Sequence, residues 1–249
     1  MVKYCKDRNI RVVLFTSGIV RRKYIDALTK SLISDYKFSG IEKNDLIFLK
    51  ELGLDKIVFD FQGASVDTYN QLMGTKNRFT YVANSMLRAS LVGLDVDVHF
   101  IPLKLNYKEF LDVLEILEIC EIKQISILNF VPQGRGLTNQ EYLQLSQEEM
   151  EEFINIYKQS RFNGYIRVGI PLLSKDEHLC TAGLDKMVIK YDGTVLPCPE
   201  FKEFDIELLN KIGIKTPNIH TDLDKVEIHN GTRKKPLCKQ LYKFRQTIN

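Results

Sequence analysis

KIVFDFQGASVDTYNQLMG, Lys56 to Gly74, decides the fold. Its first eight residues, Lys56 to Gly63, form an apolar run that carries one carboxylate, Asp60, and closes on glycine. Strands buried on both faces of a parallel sheet read this way. Asp67 then opens a helical stretch. Working outward, the same alternation recurs. RVVLFTSG (Arg11 to Gly18) is a strand on the N-terminal side, followed by a helix from about Asn44 that stops at Gly53. On the C-terminal side, a helix over Phe79 to Val92 leads into the alternating strand LDVDVHFIPL (Leu94 to Leu103). A periodic helix (Tyr107 to Cys120), the strand KQISILNFVP (Lys123 to Pro132) and the strand GYIRVGIP (Gly164 to Pro171) complete the series. Between the last two strands, Ser146 with Glu149 three residues on predicts a capping box. Glu149, Glu151 and Glu152 read as the start of that helix, where carboxylates suit the dipole, and not as acid/base machinery. Strands joined by helical crossovers predict an α/β fold with a parallel sheet, open or curled into a barrel.

The pattern changes after about Ser174. KMVIKYDGTVLPC (Lys186 to Cys198) predicts a β-hairpin turning at Asp192-Gly193, because a tight hairpin turn needs positive φ. Residues 203–235 read as polar and irregular. The expected division is an α/β domain over residues 1–174 and a small cysteine module over residues 175–249.

Composition bounds the function. The 249 residues are 44% hydrophobic and 27% charged, which excludes a disordered or fibrous chain. Lys plus Arg number 35 against 32 Asp plus Glu, a net charge of +3 that points to neither nucleic acid nor an acidic membrane as partner. No apolar run reaches the roughly 18 residues of a membrane span, and MVKYCKDRNI has no apolar signal core. A cytoplasmic location is expected. Five cysteines, an odd number, argue against a disulfide framework. His99, His220 and His229 share no metal-ligand spacing, and no phosphate-binding loop or Ser/His/Asp order appears.

The cysteines carry the sharpest chemistry. Cys180, Gly193 and Cys198 are spaced C-x12-G-x4-C, so folding back at Gly193 brings two thiols to the open end of one hairpin. Cys238 supplies a third thiol, with His178 and Glu200 beside the cysteines as further donors. Thiolates favour zinc or iron–sulfur clusters; buried structural cysteines are the alternative.

Four segments together resemble the radical S-adenosylmethionine (radical SAM) enzymes. RVVLFTSG is similar to the strand ending in TNG in that family, and KIVFDFQGASVDTYNQLMG to the strand after it. FVPQGRG resembles a later P-x-GR strand end, and CTAGLDKMVIKYDGTVLPC the opening of the SPASM or twitch module. The resemblance spans nearly the whole chain in matching order. It implies a partial (β/α)6 radical SAM-type barrel with a C-terminal iron–sulfur module, and S-adenosylmethionine as cofactor of the complete protein. It implies radical oxidoreductase chemistry of the peptide-modifying or maturase type, on a peptide or protein substrate.

Site residues follow from the same resemblance. Thr16, Ser17 and Gly18 sit at a strand's C-terminal end, where barrel ligands bind. Asp60 stands where a serine near the cofactor carboxylate is usual, and a carboxylate there repels that group. Asn106 follows a strand end, and Gly134 and Arg135 match the GR near the adenosine. Cys180, Cys198 and Cys238 would hold one auxiliary 4Fe–4S cluster, because Leu241 stands where a further cysteine is usual. The family's C-x3-C-x2-C loop and GGEP segment do not occur in this sequence. The first two barrel strands are therefore expected upstream of Met1, with this chain a fragment or one part of a split protein, inactive alone in S-adenosylmethionine cleavage. No catalytic residue is assigned. Two other readings stand beside this one. One is a non-catalytic scaffold, exposing a sheet edge and an apolar lumen and so paired as a homo-oligomer or with a complementing chain. The other is a zinc-binding α/β domain.

Overall fold

A computed structural model describes residues 1–22, 37–74, 76–169, 182–184, 186–202, 204–211 and 213–226. The chain divides into two compact units, Met1–Phe130 with Asn139–Leu172, and Val131–Thr138 with Leu173–Asn249.

The first unit is built on a parallel sheet. Its strands are β1 (Val13–Thr16), β4 (Lys56–Asp60), β5 (Val96–Phe100), β6 (Gln124–Leu128) and β7 (Tyr165–Gly169), ordered as named, with β1 and β7 at the edges. All four pairings are parallel. Each of the five strands expected from the sequence is present. An antiparallel pair, β2 (Ile19–Arg22) and β3 (Lys37–Gly40), leaves the sheet after β1 and was not foreseen.

The crossover helices form where the apolar spacing placed them. Helix α1 (Val2–Lys6) precedes β1, and α2 (Lys43–Glu51) leads to β4. Helix α3 (Val66–Met73) starts at Ser65, whose Oγ accepts from Thr68 N–H at 3.1 Å, and ends at left-handed Gly74. Helix α4 (Phe79–Leu91) leads to β5, and α5 (Phe110–Ile119) leads to β6. Of the helices after β6, α6 (Arg135–Thr138) and α7 (Gln140–Leu143) are single turns. Helix α8 (Gln147–Lys158) carries the predicted capping box, Ser146 N–H to Glu149 Oε2 at 2.7 Å and Glu149 N–H to Ser146 Oγ at 3.2 Å.

Alternation along the strands separates two chemistries. Ile57, Phe59, Val98, Phe100, Ile125 and Ile127 face the helices and pack with Leu46, Val82, Met86, Val113, Leu117 and Phe153 in one buried core. Burying each large side chain contributes roughly 1.5–3 kcal/mol. The residues between them point to the opposite face: Asp60, Asp97, His99, Gln124, Ser126 and Arg167. That face is mixed and not the wholly apolar lumen expected: Val58 and its register partner Phe15 stand on it beside these polar side chains.

Strand β5 stops at Phe100, short of the predicted Leu103, because side chains replace the ladder there. Ile101 N–H donates to Gln62 Oε1 at 2.9 Å, and Leu103 N–H to Asn106 Oδ1 at 2.7 Å.

In the second unit, β8 (Val188–Ile189) and β9 (Val195–Leu196) form the predicted hairpin. Gly193 has φ +84°, and Asp192 Oδ1 accepts from Thr194 N–H at 2.9 Å, so Asp-Gly builds the turn as read. The stretch expected to be irregular contains a helix, α9 (Ile206–Lys211), whose Leu209 packs with Leu196, Phe201 and Ile214. That small cluster buries four apolar side chains, spread over Leu196 to Ile214, too few to mark the stretch as apolar.

Candidate functional site

The C-terminal ends of β1, β4 and β5 meet at one place. Thr16 is the last residue of β1, and its Oγ1 accepts from Gly18 N–H at 3.0 Å. Gly18 has φ +71°, and a Cβ there would stand 3.1 Å from the Phe59 ring. The Gly18 carbonyl accepts from Ser85 Oγ at 2.7 Å, which ties the turn to α4. Ser17, between them, is exposed.

This turn borders a cavity of about 360 Å³ lined by Phe15, Thr16, Ser17, Val58, Phe59, Asp60 and His99. Three of the predicted residues, Thr16, Ser17 and Asp60, thus come together. Sequence reasoning missed Phe15 and His99. His99 is in register with Asp60 on the neighbouring strand, and the Phe15 ring lies 5.5 Å from the His99 ring. The signal that finds His99 is its place in VDVHF: an alternating strand turns Asp97 and His99 to the same face.

The two titratable groups are pushed toward neutrality. Burial raises the Asp60 carboxyl above its ordinary range, against a hydrogen bond from Gln62 and the nearby His99. Burial likewise lowers His99, with Arg167 acting in the same direction and Asp97 and Asp60 opposing it. Tyr69 is fully buried, and its hydroxyl has no hydrogen-bond partner among the described residues. Burial, then the charge of Asp60, pushes it up to about 12.

Loops above the strands are locked by side chains from a distance. Asn106 is 1% exposed. Its Nδ2 donates to the carbonyls of Gln62 at 2.9 Å and Ile101 at 3.0 Å, while its Oδ1 accepts from Leu103. All three bonds go to backbone, so Asn106 joins the loop after β4 to the loop after β5. Glu109 fixes the start of α3: Oε2 accepts from Ala64 N–H at 2.7 Å and Ser65 N–H at 3.1 Å, and Oε1 from the Ser65 and Thr68 hydroxyls. Burial pushes this carboxyl up, but these hydrogen bonds, Thr68's foremost, outweigh it and hold it below its usual range.

The remaining predicted residues lie elsewhere. Gly134 (φ +50°) and Arg135 open the α6 turn, which groups with the second unit. Cys198 follows β9 at the end of the hairpin and is partly buried. Cys180 and Cys238 lie outside the described residues, as does His178. Among the described residues no cluster of three or more His, Cys, Asp or Glu is placed to hold a metal. Cys120 is a core thiol whose burial raises it, which makes it a poor nucleophile. Among the described residues no helix is long and apolar enough to cross a membrane.

Solved structures share this architecture. SuiB from Streptococcus suis, bound to S-adenosylmethionine, matches 89% of this chain and 48% of its own length, with a TM-score of 0.59 and 14% identity. SuiB bound to its precursor peptide SuiA matches with a TM-score of 0.58 at the same identity. The fold is a partial radical SAM-type α/β fold. Native anSMEcpe with bound AdoMet agrees, with a TM-score of 0.51 and 16% identity over 79% of this chain and 52% of that protein. The chain therefore spans about half the length of the structures it matches. No protein-family model matches the sequence, and no curated protein matches it.

Proposed function

We propose that this chain is part of an S-adenosylmethionine-binding protein of the radical SAM type that acts on a peptide or protein. One observation carries this: Thr16, Ser17 and Asp60 converge with His99 on a cavity at the C-terminal ends of a parallel sheet, in a fold that SuiB and anSMEcpe share. These residues present hydroxyl, carboxyl and imidazole groups, a donor and acceptor set that suits the polar end of the cofactor. The raised pKa of Asp60 reduces its repulsion of the cofactor's carboxylate. The SuiB structure with its precursor peptide supports a peptide as substrate class.

In this reading residues 175–249 form a SPASM- or twitch-like module, and Cys180, Cys198 and Cys238 hold an auxiliary 4Fe–4S cluster. Such a cluster would supply electron transfer. Cys198 follows β9 at the open end of the hairpin that turns at Gly193, which supports its assignment as one ligand. Gly134 and Arg135 contribute to the adenosine end of the cofactor. The complete protein is an oxidoreductase of the cytoplasm, and this chain alone does not cleave the cofactor.

Two measurements test the reading. After anaerobic reconstitution with iron and sulfide, the chain should hold oxygen-sensitive iron and lose it in Cys180→Ser, Cys198→Ser and Cys238→Ser; stoichiometric zinc with no iron uptake refutes the cluster. Calorimetric titration of S-adenosylmethionine should show weak binding that strengthens in Asp60→Ser. An unchanged affinity removes Asp60 from the site.

A second reading, a non-catalytic scaffold completed by a second copy or another chain, is favoured by one observation. Among the described residues, β1 pairs in the sheet with β4 alone, so its other edge has no strand partner. Light scattering decides it: a monodisperse monomer counts against this reading.

A further inference from the structure

The mixed face of the sheet carries a second arrangement, built across β5, β6 and β7. His99, Ser126 and Arg167 are in register on three adjacent strands, so their side chains share one face. Arg167 Nε donates to Ser126 Oγ at 3.0 Å. Ser126, 1% exposed, donates its own proton to Asp97, whose Oδ2 is 3.2 Å away and Oδ1 3.4 Å. One hydroxyl therefore accepts from the guanidinium and donates to the carboxylate, which fixes the plane of Arg167 through a single nitrogen. Nη1 and Nη2 make no hydrogen bond to a described residue, and the side chain is exposed.

An arginine on a strand in contact with water needs no such tether. Anchoring Nε removes much of the rotamer entropy that a guanidinium would otherwise lose on binding, and leaves its two terminal nitrogens as a fixed fork. That fork matches a carboxylate, which takes two parallel N–H···O bonds. Asp97 balances the charge of Arg167, so attraction at long range is small and recognition rests on the paired geometry. Ser126, which holds the guanidinium, is in register with His99, and His99 lines the cavity at the strand ends.

The geometry points to Arg167, oriented by Ser126 and Asp97, as a binding site for a carboxylate group of the substrate. Taking a peptide as the carrier rests on the function proposed above; the carboxylate site itself does not. The carboxylate can come from an acidic side chain, a peptide C-terminus or the cofactor's own methionine end. Only the first two are substrate.

The test is a side-chain nitrogen–proton NMR titration of the full chain, following Arg167 Nε–H and the His99 ring. The probes are N-acetyl-glutamate N-methylamide, N-acetyl-alanine, S-adenosylmethionine and, as neutral control, N-acetyl-glutamine N-methylamide. A saturable shift is expected with the glutamate or the alanine probe and none with the glutamine control. Saturation should also move the His99 titration upward, because a bound carboxylate cancels the guanidinium charge. Arg167→Met should weaken binding at least tenfold, and Arg167→Lys nearly as much, because an ammonium keeps the charge and loses the fork. Ser126→Ala should give an intermediate loss. Equal shifts with the neutral control, no saturation, saturation by S-adenosylmethionine alone, or full binding in Arg167→Lys overturns the proposal. Iron uptake and cofactor binding are read separately, so a failure of the functional reading shows in those and not here.

Discussion

Replacing Asn106 by alanine tests whether the loops above the cavity are held as described. The side chain is 1% exposed and makes three hydrogen bonds to backbone, at 2.7, 2.9 and 3.0 Å. Alanine leaves Leu103 N–H and the Gln62 and Ile101 carbonyls without this partner. A buried group left unsatisfied costs roughly 1–3 kcal/mol, and carbonyls, with two lone pairs, sit at the lower end. The expected loss is about 3 kcal/mol, or roughly 6–12 °C in Tm for a domain of this size. Urea unfolding followed by circular dichroism measures it. Asn106→Asp sharpens the test. The new carboxyl can still accept from Leu103, yet when ionised it faces two carbonyls in a buried place. Its pKa in the folded protein must therefore rise. A raised carboxyl pKa means the penalty is absent below the unfolded value of about 3.9 and grows as pH climbs through it toward the folded value. Asn106→Asp should lose stability relative to the parent between pH 4 and neutrality. A loss under about 0.5 kcal/mol in Asn106→Ala, or a pH-independent Asn106→Asp, refutes the reasoning.

Three more outcomes follow from single contacts. Glu109→Gln removes the charge that accepts from four donors at the start of α3, and should cost about 1 kcal/mol after solvent screening; because the folded carboxyl is held low, that contribution is present above its unfolded pKa and fades as pH falls, which acid unfolding of the two proteins compares. Gly18→Ala places a Cβ at 3.1 Å from Phe59 in a left-handed backbone, and should lower stability by roughly 1–2 kcal/mol; an unchanged denaturation midpoint contradicts the turn geometry. His99 should titrate below its ordinary 6.5 by NMR, so its contribution to stability is present above 6.5 and is lost as pH falls from there through its lower folded value; His99→Gln should flatten this part of the pH–stability curve, while Asp60, raised by burial, acts in the opposite sense as pH rises above 3.8.

Local signals were legible because their causes are local. Apolar or alternating runs located all five strands of the parallel sheet. Ser146 and Glu149 announced their capping box, and Asp192-Gly193 its turn. Thr16, Ser17 and Gly18, at the end of β1, were legible as a site only through the family resemblance, since a Thr-Ser-Gly strand end serves equally as a plain turn. His99 was passed over, since a lone histidine has no spacing to give it meaning until a neighbouring strand supplies Asp60.

What the chain determined by itself is the parallel α/β class, the order of strands and crossovers, and the hairpin that presents Cys198, all set by periodicity and by which residues tolerate positive φ. Tertiary structure alone decided which polar side chains meet. Asp97, Ser126 and Arg167 are 29 and 41 residues apart along the chain, and only the register of three parallel strands puts them on one face. Asn106 and Glu109 likewise act on a loop some 44 residues earlier. Such contacts depend on how strands slide past one another, and a shift of one residue would turn every one of those side chains to the other side.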